Sequence, residues 1–192
     1  MKNFFLENAR IIGKLIRTHL VMTIFGLMVF IPFNLDNGSM QVFLLLGSII
    51  AVLLYLFLID VDMWYLGAED AIKSRATGKK PSAAKGFLIG LTAQLPSVIL
   101  GILYAVFSML YAYYMAYPSG ETFAGGKIVT WLLTFIWDGM YLGIERILLG
   151  GTVPLFYLLI PLLPIGFTGL TYYLGTKESK FLKPPEKEKR RK

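Results

Sequence analysis

The sequence has no cysteine and a single histidine, His19. No disulfide framework, thiol nucleophile or Cys-ligated metal site can be built from it. Charge is sparse as well. Asp, Glu, Lys and Arg together make up 16% of the 192 residues, against about 25% in ordinary soluble domains. No zinc-ligand set, phosphate-cradling loop or Ser-His-Asp set can be assembled. The chain is therefore expected to be a non-enzyme without a cofactor. What is present is apolar: 56% hydrophobic residues, with 14 Phe, 11 Tyr and 3 Trp, and a mean hydropathy of +0.62. So much apolar surface with so few charges excludes a water-soluble globule and fits a chain whose solvent is a bilayer.

A membrane-crossing helix needs about 20 mostly apolar residues. Uncharged runs occur at Leu20–Phe33, Val42–Ile59, Gly86–Tyr117 and between Arg146 and Lys177. A fifth, weaker segment, Ile128–Ile144, contains Asp138 and runs into Glu145 and Arg146. Basic residues near span ends stay on the cytoplasmic side. All but Lys127 and Arg146 of the 19 Lys and Arg fall in three segments: before the first run, between the second and third, and in the tail. Four crossings put all three segments inside, whereas five would put the most basic one outside. The expected fold is an all-α polytopic transmembrane helix bundle with four spans, at about 14–33, 42–62, 86–117 and 152–175. Amphipathic helices are expected at about 3–17 and 126–149, the second as an outer-leaflet or re-entrant helix. Residues 1–176 form one membrane domain, and 177–192 a basic disordered tail. The five-span arrangement stays open because 128–144 is apolar enough to insert. The first run lacks a small-x-small cleavage site and reads as a retained span. Asn37-Gly38-Ser39 matches a glycosylation sequon but reads better as a tight turn.

Several positions invite a sharper reading. Glu7, Arg10, Lys14 and Arg17 recur at spacings of one helical face. Arg10, Lys14 and Arg17, together with Lys79, Lys80, Lys177 and Lys180, are candidate contacts for an anionic inner leaflet, although any cytoplasmic flank is basic. Asp60, Asp62, Glu69 and Asp70 could hold a divalent cation. They lack a calcium-loop spacing, however, and five basic residues follow, so a self-neutralising charged face is expected. In the third run, Thr92, Gln94 and Ser97 surround Pro96, where proline kinks a helix and frees a carbonyl. Gln94 suits an interhelical hydrogen bond or the lining of a substrate path.

Lys127, Thr130, Thr134, Asp138, Tyr141 and Glu145 make a continuous polar stripe at helical spacing. A helix lying on the surface, with Trp131 and Trp137 at the headgroups, explains the stripe. So does a helix facing the bundle interior, where Asp138 would be a proton or cation site and Arg146 would partly neutralise Glu145. The topology argument favours the surface. Pro161 and Pro164 interrupt the last run, as in transporters with broken helices or in a kinked packing helix. His19 is expected at a surface or packing position. Tyr-Leu-Gly occurs at 65–67, 141–143 and 173–175; in the first and third, glycine would end a helix and tyrosine would sit at the interface.

The stretch Leu66-Gly67-Ala68-Glu69-Asp70, then Lys85-Gly86 and Ile89-Gly90 leading into Pro96, and the closing Tyr173-Leu174-Gly175 before a basic tail resemble a group of small uncharacterised bacterial polytopic membrane proteins. The resemblance covers mainly residues 60–100 and 170–177. It implies a bacterial plasma-membrane location and supplies no activity or site residue.

The basic residues follow topology, so nucleic acid is not an expected partner. The expected partners are the bilayer itself and either another membrane protein or further copies of this chain. Two function classes follow. The first is a non-catalytic accessory or scaffold subunit of a larger membrane complex, favoured because the four spans carry no deep charge. The alternative is a small oligomeric transporter or channel using the proline-broken last span, Gln94 and Asp138. Both termini are placed in the cytoplasm.

Overall fold

A computed structural model describes residues 2–30, 38–78, 81–115, 120–150 and 153–177. Among them every regular element is helical. These are α1 (Lys2–Phe30), α2 (Gly38–Thr77), α3 (Ala84–Ala93), α4 (Leu95–Tyr114), α5 (Gly120–Trp137), a single 3-10 turn (Gly139–Tyr141), α6 (Leu142–Leu148), α7 (Pro154–Leu159) and α8 (Leu162–Thr176). Four stretches are long and apolar enough to cross a bilayer: Phe4–Val29, Gln41–Thr77, Leu95–Tyr114 and Pro154–Thr176. Their outward faces carry large exposed apolar side chains, among them Phe43, Leu53, Ile99 and Met109. In water such a surface would aggregate. Against lipid it costs nothing.

The two ends of the bundle differ. At one end Lys14 pairs with Asp62 at 2.5 Å, Lys85 with Asp70 at 2.6 Å and Lys73 with Glu69 at 2.7 Å. Tyr172 of α8 donates to Asp70 at 2.7 Å. This is the expected self-neutralising face. It brings the start of α1 and the end of α8 to the same end of the bundle, as an even number of crossings requires. Arg10 and Arg17 are exposed there, and Lys177 lies over the Tyr173 ring at 5.8 Å. Lys79, Lys80 and Lys180 lie outside the described residues. At the opposite end Tyr113 and Tyr114 meet edge to face, Tyr114 stacks on Phe123, and Lys127 sits 4.7 Å over the Tyr111 ring. Tyrosines gathered at one end of an apolar bundle suit the membrane–water interface.

At 40 residues, α2 would measure about 60 Å, about twice a hydrocarbon core, and it runs through the charged layer of Asp62, Glu69 and Asp70. It stops at Gly78, whose φ of +73° is a left-handed cap. The three Tyr-Leu-Gly glycines have a different role from the expected helix termination. Gly67 lies within α2 and packs against the backbone of Tyr172 to Thr176, while Gly175 packs against the Trp64 carbonyl. Two of the repeats thus meet each other where α2 crosses α8. The third glycine, Gly143, lies against the Leu44 carbonyl and Ser48. Without a side chain, backbone can touch backbone, which is how helices associate closely in lipid.

Each of the three later runs is interrupted. The third run divides at Gln94, the residue before Leu95-Pro96, rather than bending smoothly at the proline. The last run only kinks. Ile160 and Pro161 keep right-handed helical angles, and Pro161 and Pro164 sit at the cap and first turn of α8, where an amide N–H is not needed. The segment 126–149 is not one surface helix. α5 runs antiparallel to α4, from the Tyr114–Phe123 stack to a Trp137–Ser97 hydrogen bond. After Asp138 the chain turns back. Gly139 and Met140 pack beside Leu27 and Gly26, and Gly143 beside Leu44 near the start of α2. The segment is re-entrant, and the expected surface helix is overturned in favour of an inward-facing stripe. Thr130, Thr134, Asp138, Tyr141 and Glu145 are all buried.

Gly175→Leu should lower stability by about 1–3 kcal/mol through overpacking against backbone that cannot yield. Gly13→Ala adds a Cβ that meets nothing within 4 Å and should hold or raise stability. Thermal unfolding in detergent micelles separates the two variants. Equal midpoints would contradict the α2–α8 packing.

Candidate functional site

The interior site forms where two helix interruptions meet. Pro96, the second residue of α4, has no N–H to give to the preceding turn, so α3 ends and α4 begins across Gln94. α5 ends at Trp137 because Asp138 leaves helical geometry, with φ −106° and ψ 25°, and Gly139 follows it into close contact with α1. The Asp138 N–H still bonds the Thr134 carbonyl at 2.8 Å. The Trp137 carbonyl would otherwise be stranded in an apolar interior. It accepts from Thr23 Oγ1 at 2.6 Å and lies 3.0 Å from His19 Nε2.

Around this join the side chains form one network. Trp137 Nε1–H donates to Ser97 Oγ at 2.8 Å, and Ser97 O–H donates to Asp138 Oδ1 at 3.0 Å. His19 Nε2 stands 3.4 Å from the same Oδ1. Gln94 Nε2–H donates to Tyr55 Oη at 2.5 Å, and Tyr55 Oη lies 3.3 Å from His19 Nδ1. These directions assign the imidazole. The Trp137 carbonyl can only accept, so His19 carries a proton on Nε2, toward that carbonyl and Asp138, and neutral His19 then accepts at Nδ1 from Tyr55 Oη–H. The His19 ring also stacks on Trp137 at 5.4 Å. His19 and Asp138 are each 1% exposed. Removing a carboxylate from water costs several kcal/mol unless a positive charge or hydrogen bonds accompany it, and His19 is the basic side chain in contact.

The depth of the site follows from helix rise. Seventeen residue steps separate Gly120 from Trp137, about 25 Å at ~1.5 Å per residue. On α1 the site lies only about 7–8 Å from the level of Lys14. Asp138 is thus carried through most of the bundle from the aromatic end toward the charged end.

Glu145 belongs to the return arm, outside the four spans. It is buried, accepts from Tyr157 Oη at 2.5 Å and takes the Val153 N–H at 3.1 Å. Burial raises its carboxyl above the ordinary carboxylate range, while the Tyr157 bond, the Val153 amide and the Arg146 charge pull partly back. Arg146 is itself exposed. Tyr157 meets Tyr104 edge to face at 5.6 Å and lies within electrostatic reach of Asp138 as well as Glu145.

Of the positions singled out from sequence, Gln94 and Asp138 come together, with Pro96 and Ser97 at the α4 start beside them. Glu145 occupies a separate niche. Pro161 and Pro164 contribute no side-chain hydrogen bond to the network, and Thr92 bonds its own helix at Leu88. Trp137, expected at the headgroups, is part of the core of the site. His19 and Tyr55 were not picked out. A signal existed for His19: Asn8, Ile12, Leu15, His19, Met22, Thr23 and Gly26 recur at core spacing along α1, on the side away from its charges. A cleft of about 670 Å³ lies elsewhere, at the charged end between α1, α2 and α3. Its lysines are already paired with Asp62, Glu69 and Asp70, so it makes little demand for a ligand. No group of three His, Asp or Glu suited to a metal ion occurs among the described residues.

Comparisons with protein-family models, with curated proteins and with solved structures found no match.

The Glu145 carboxyl has a pH consequence. A folded-state value raised above the unfolded one means that the folded protein holds the proton more tightly. This stabilisation is present below the unfolded value and is lost as pH rises through the folded value. The unfolding midpoint of Glu145→Gln in detergent should therefore lose part of the downward slope that the parent shows from about pH 4.5 upward. Parallel pH curves for parent and variant would contradict the burial of an ionisable group here.

Proposed function

We propose that this protein is a small membrane transporter or channel whose ion site is Asp138. The observation that carries this reading is the buried His19–Asp138 pair, held where two interrupted helices meet. Ionisable groups in the interior of a membrane protein are expensive and characteristically line ion or substrate paths. Interrupted helices that converge at depth are the backbone form of such sites. The scaffold reading drew its weight from spans without deep charge. The re-entrant arm supplies that charge from outside the four spans. Glu145 on the return arm and Tyr157 on α7 lie between Asp138 and the aromatic end. Lys14 and Asp62 lie about one and a half helical turns beyond His19. Ionisable groups thus stand at three levels along one axis.

The same proposal sets the orientation. The charged end, where the start of α1 and the end of α8 meet, faces the cytoplasm of a bacterial plasma membrane, because the basic residues collect there. α5 and α6 then enter from and return to the outer side. Since the chain has no cysteine, single-cysteine variants report sidedness cleanly. Gly125 is exposed, with nothing within 4 Å of an added Cβ. A Gly125→Cys protein should react with an impermeant thiol reagent in intact cells, and a Lys187→Cys protein should not. Labelling at position 187 from outside would reverse the topology.

For activity, the purified protein reconstituted in liposomes should pass protons or alkali cations under an imposed potential, read with a pH dye and an ion-selective dye. Asp138→Asn should return the flux to the protein-free rate, and His19→Gln should slow it. Flux equal to that of empty liposomes, with a stoichiometric companion protein co-purifying in mild detergent, would overturn this reading in favour of the scaffold class.

A further inference from the structure

The polar network around Asp138 is satisfied on one side only. Oδ1 receives Ser97 and faces His19, but Oδ2 is buried without a hydrogen-bond partner. Gln94 Oε1 in the same network and Tyr141 Oη in the turn that follows Asp138 are also buried and unpartnered. Buried polar atoms are almost always paired. Leaving one unpaired costs about 1–3 kcal/mol, and more when the group is charged. Three such atoms require an explanation.

These oxygens come from converging pieces of backbone. Tyr141 is the third residue after Asp138, and its N–H bonds the Asp138 carbonyl at 3.0 Å. Asp138 caps the 3-10 turn that ends at Tyr141, so the two side chains leave the backbone three residues apart at one tight turn. Gln94 reaches the cluster through Tyr55, which faces His19. Tyr55, Met140 and Tyr141 pack in one buried cluster.

We infer that Asp138 Oδ2, Gln94 Oε1 and Tyr141 Oη form a binding site for one monovalent alkali cation. The inference deepens the transport reading above and rests on it for the purpose of the site, though not for its chemistry. The donor set is oxygen only, as hard cations require. It contains one carboxylate, so a single positive charge balances it, whereas a divalent ion would call for a second. The nearest other buried carboxylate, Glu145, already has both oxygens engaged, by Tyr157 and by the Val153 N–H. Phenol and amide oxygens add ligands without adding charge. A buried water could serve the same three atoms by hydrogen bonding, but it would leave His19 as the one basic group beside the carboxylate.

The site has a built-in reporter. Trp137 donates to Ser97, which donates to Asp138, so a cation at the carboxylate changes the surroundings of the indole. In a Trp64→Phe, Trp131→Phe background at fixed mildly alkaline pH in detergent, the full chain is titrated with NaCl, KCl or choline chloride at constant ionic strength. A saturable change in Trp137 fluorescence with Na⁺ or K⁺ and not with choline is expected. It should be lost in Asp138→Asn and shifted to about tenfold or more higher salt in Tyr141→Phe, the weakening that ~1.4 kcal/mol corresponds to. Tyr141→Phe removes a hydroxyl that bonds nothing else, so it carries the test if Asp138→Asn does not fold. Identical traces in all three salts would overturn the site, as would an alkali-cation response retained in both variants. A saturable response without liposome flux would leave the site standing and remove transport. Proton flux without any cation response would do the reverse.

Discussion

The Trp137 carbonyl is the backbone group on which the interior depends. A helix that stops inside an apolar bundle leaves amides and carbonyls that no water can reach, and each costs free energy until a partner is found. α5 stops there, and α1 supplies Thr23 and His19 to take the stranded oxygen. That capture fixes the tip of the re-entrant segment against α1. It orients the imidazole and puts Asp138 beside Ser97 at the α4 start. The remaining features follow from this one satisfaction: the Tyr55–Gln94 bond closes the other side of the imidazole, and the return arm is free to run back along α2.

Close approach is the second condition. A re-entrant arm fits among four long helices only if backbone can touch backbone. Gly26 admits Met140, and Gly143 admits the Leu44 carbonyl. Gly67 and Gly175 do the same for α2 and α8, setting the frame into which the arm fits. Lipid offers no hydrophobic drive between helices, so van der Waals contact at small residues and buried hydrogen bonds must hold the bundle together. The charged end adds ion pairs at Lys14–Asp62 and Lys85–Asp70, partly sheltered on the carboxylate side. The exposed Lys73–Glu69 pair contributes at most a few tenths of a kcal/mol.

Much of this architecture was legible from the residues. The four long apolar helices, the extension of α2 to Gly78, the interruption beside Pro96 and the polar stripe from Lys127 to Glu145 all follow from hydropathy, helical spacing and the covalent limits of proline and glycine. The side the stripe faces did not follow. Thr130, Thr134 and Asp138 on one face suit headgroups and suit a polar interior equally well, because periodicity records that a face is polar and not what it touches. The tryptophans misled for the same reason. Trp137 matches an interfacial anchor until its N–H is seen on Ser97. His19 was hidden by position, two residues after Arg17 in a basic flank, although its α1 neighbours keep core spacing.

The sequence by itself determined four helices long and apolar enough to cross a bilayer, the segregation of nearly all basic residues into three segments, and the interruption beside Pro96. Each of these depends on local composition or on the geometry of a single residue. Only the tertiary structure decided that the breaks at Gln94 and Asp138 coincide, that Asp138 is interior, and that its partners are His19, Tyr55 and Ser97. The physical reason is that these are satisfaction problems between groups far apart in the chain. His19 and Trp137 are 118 positions apart, and no periodicity within either segment encodes the other. A stranded carbonyl and a buried carboxylate find their donors only when the helices that carry them pack.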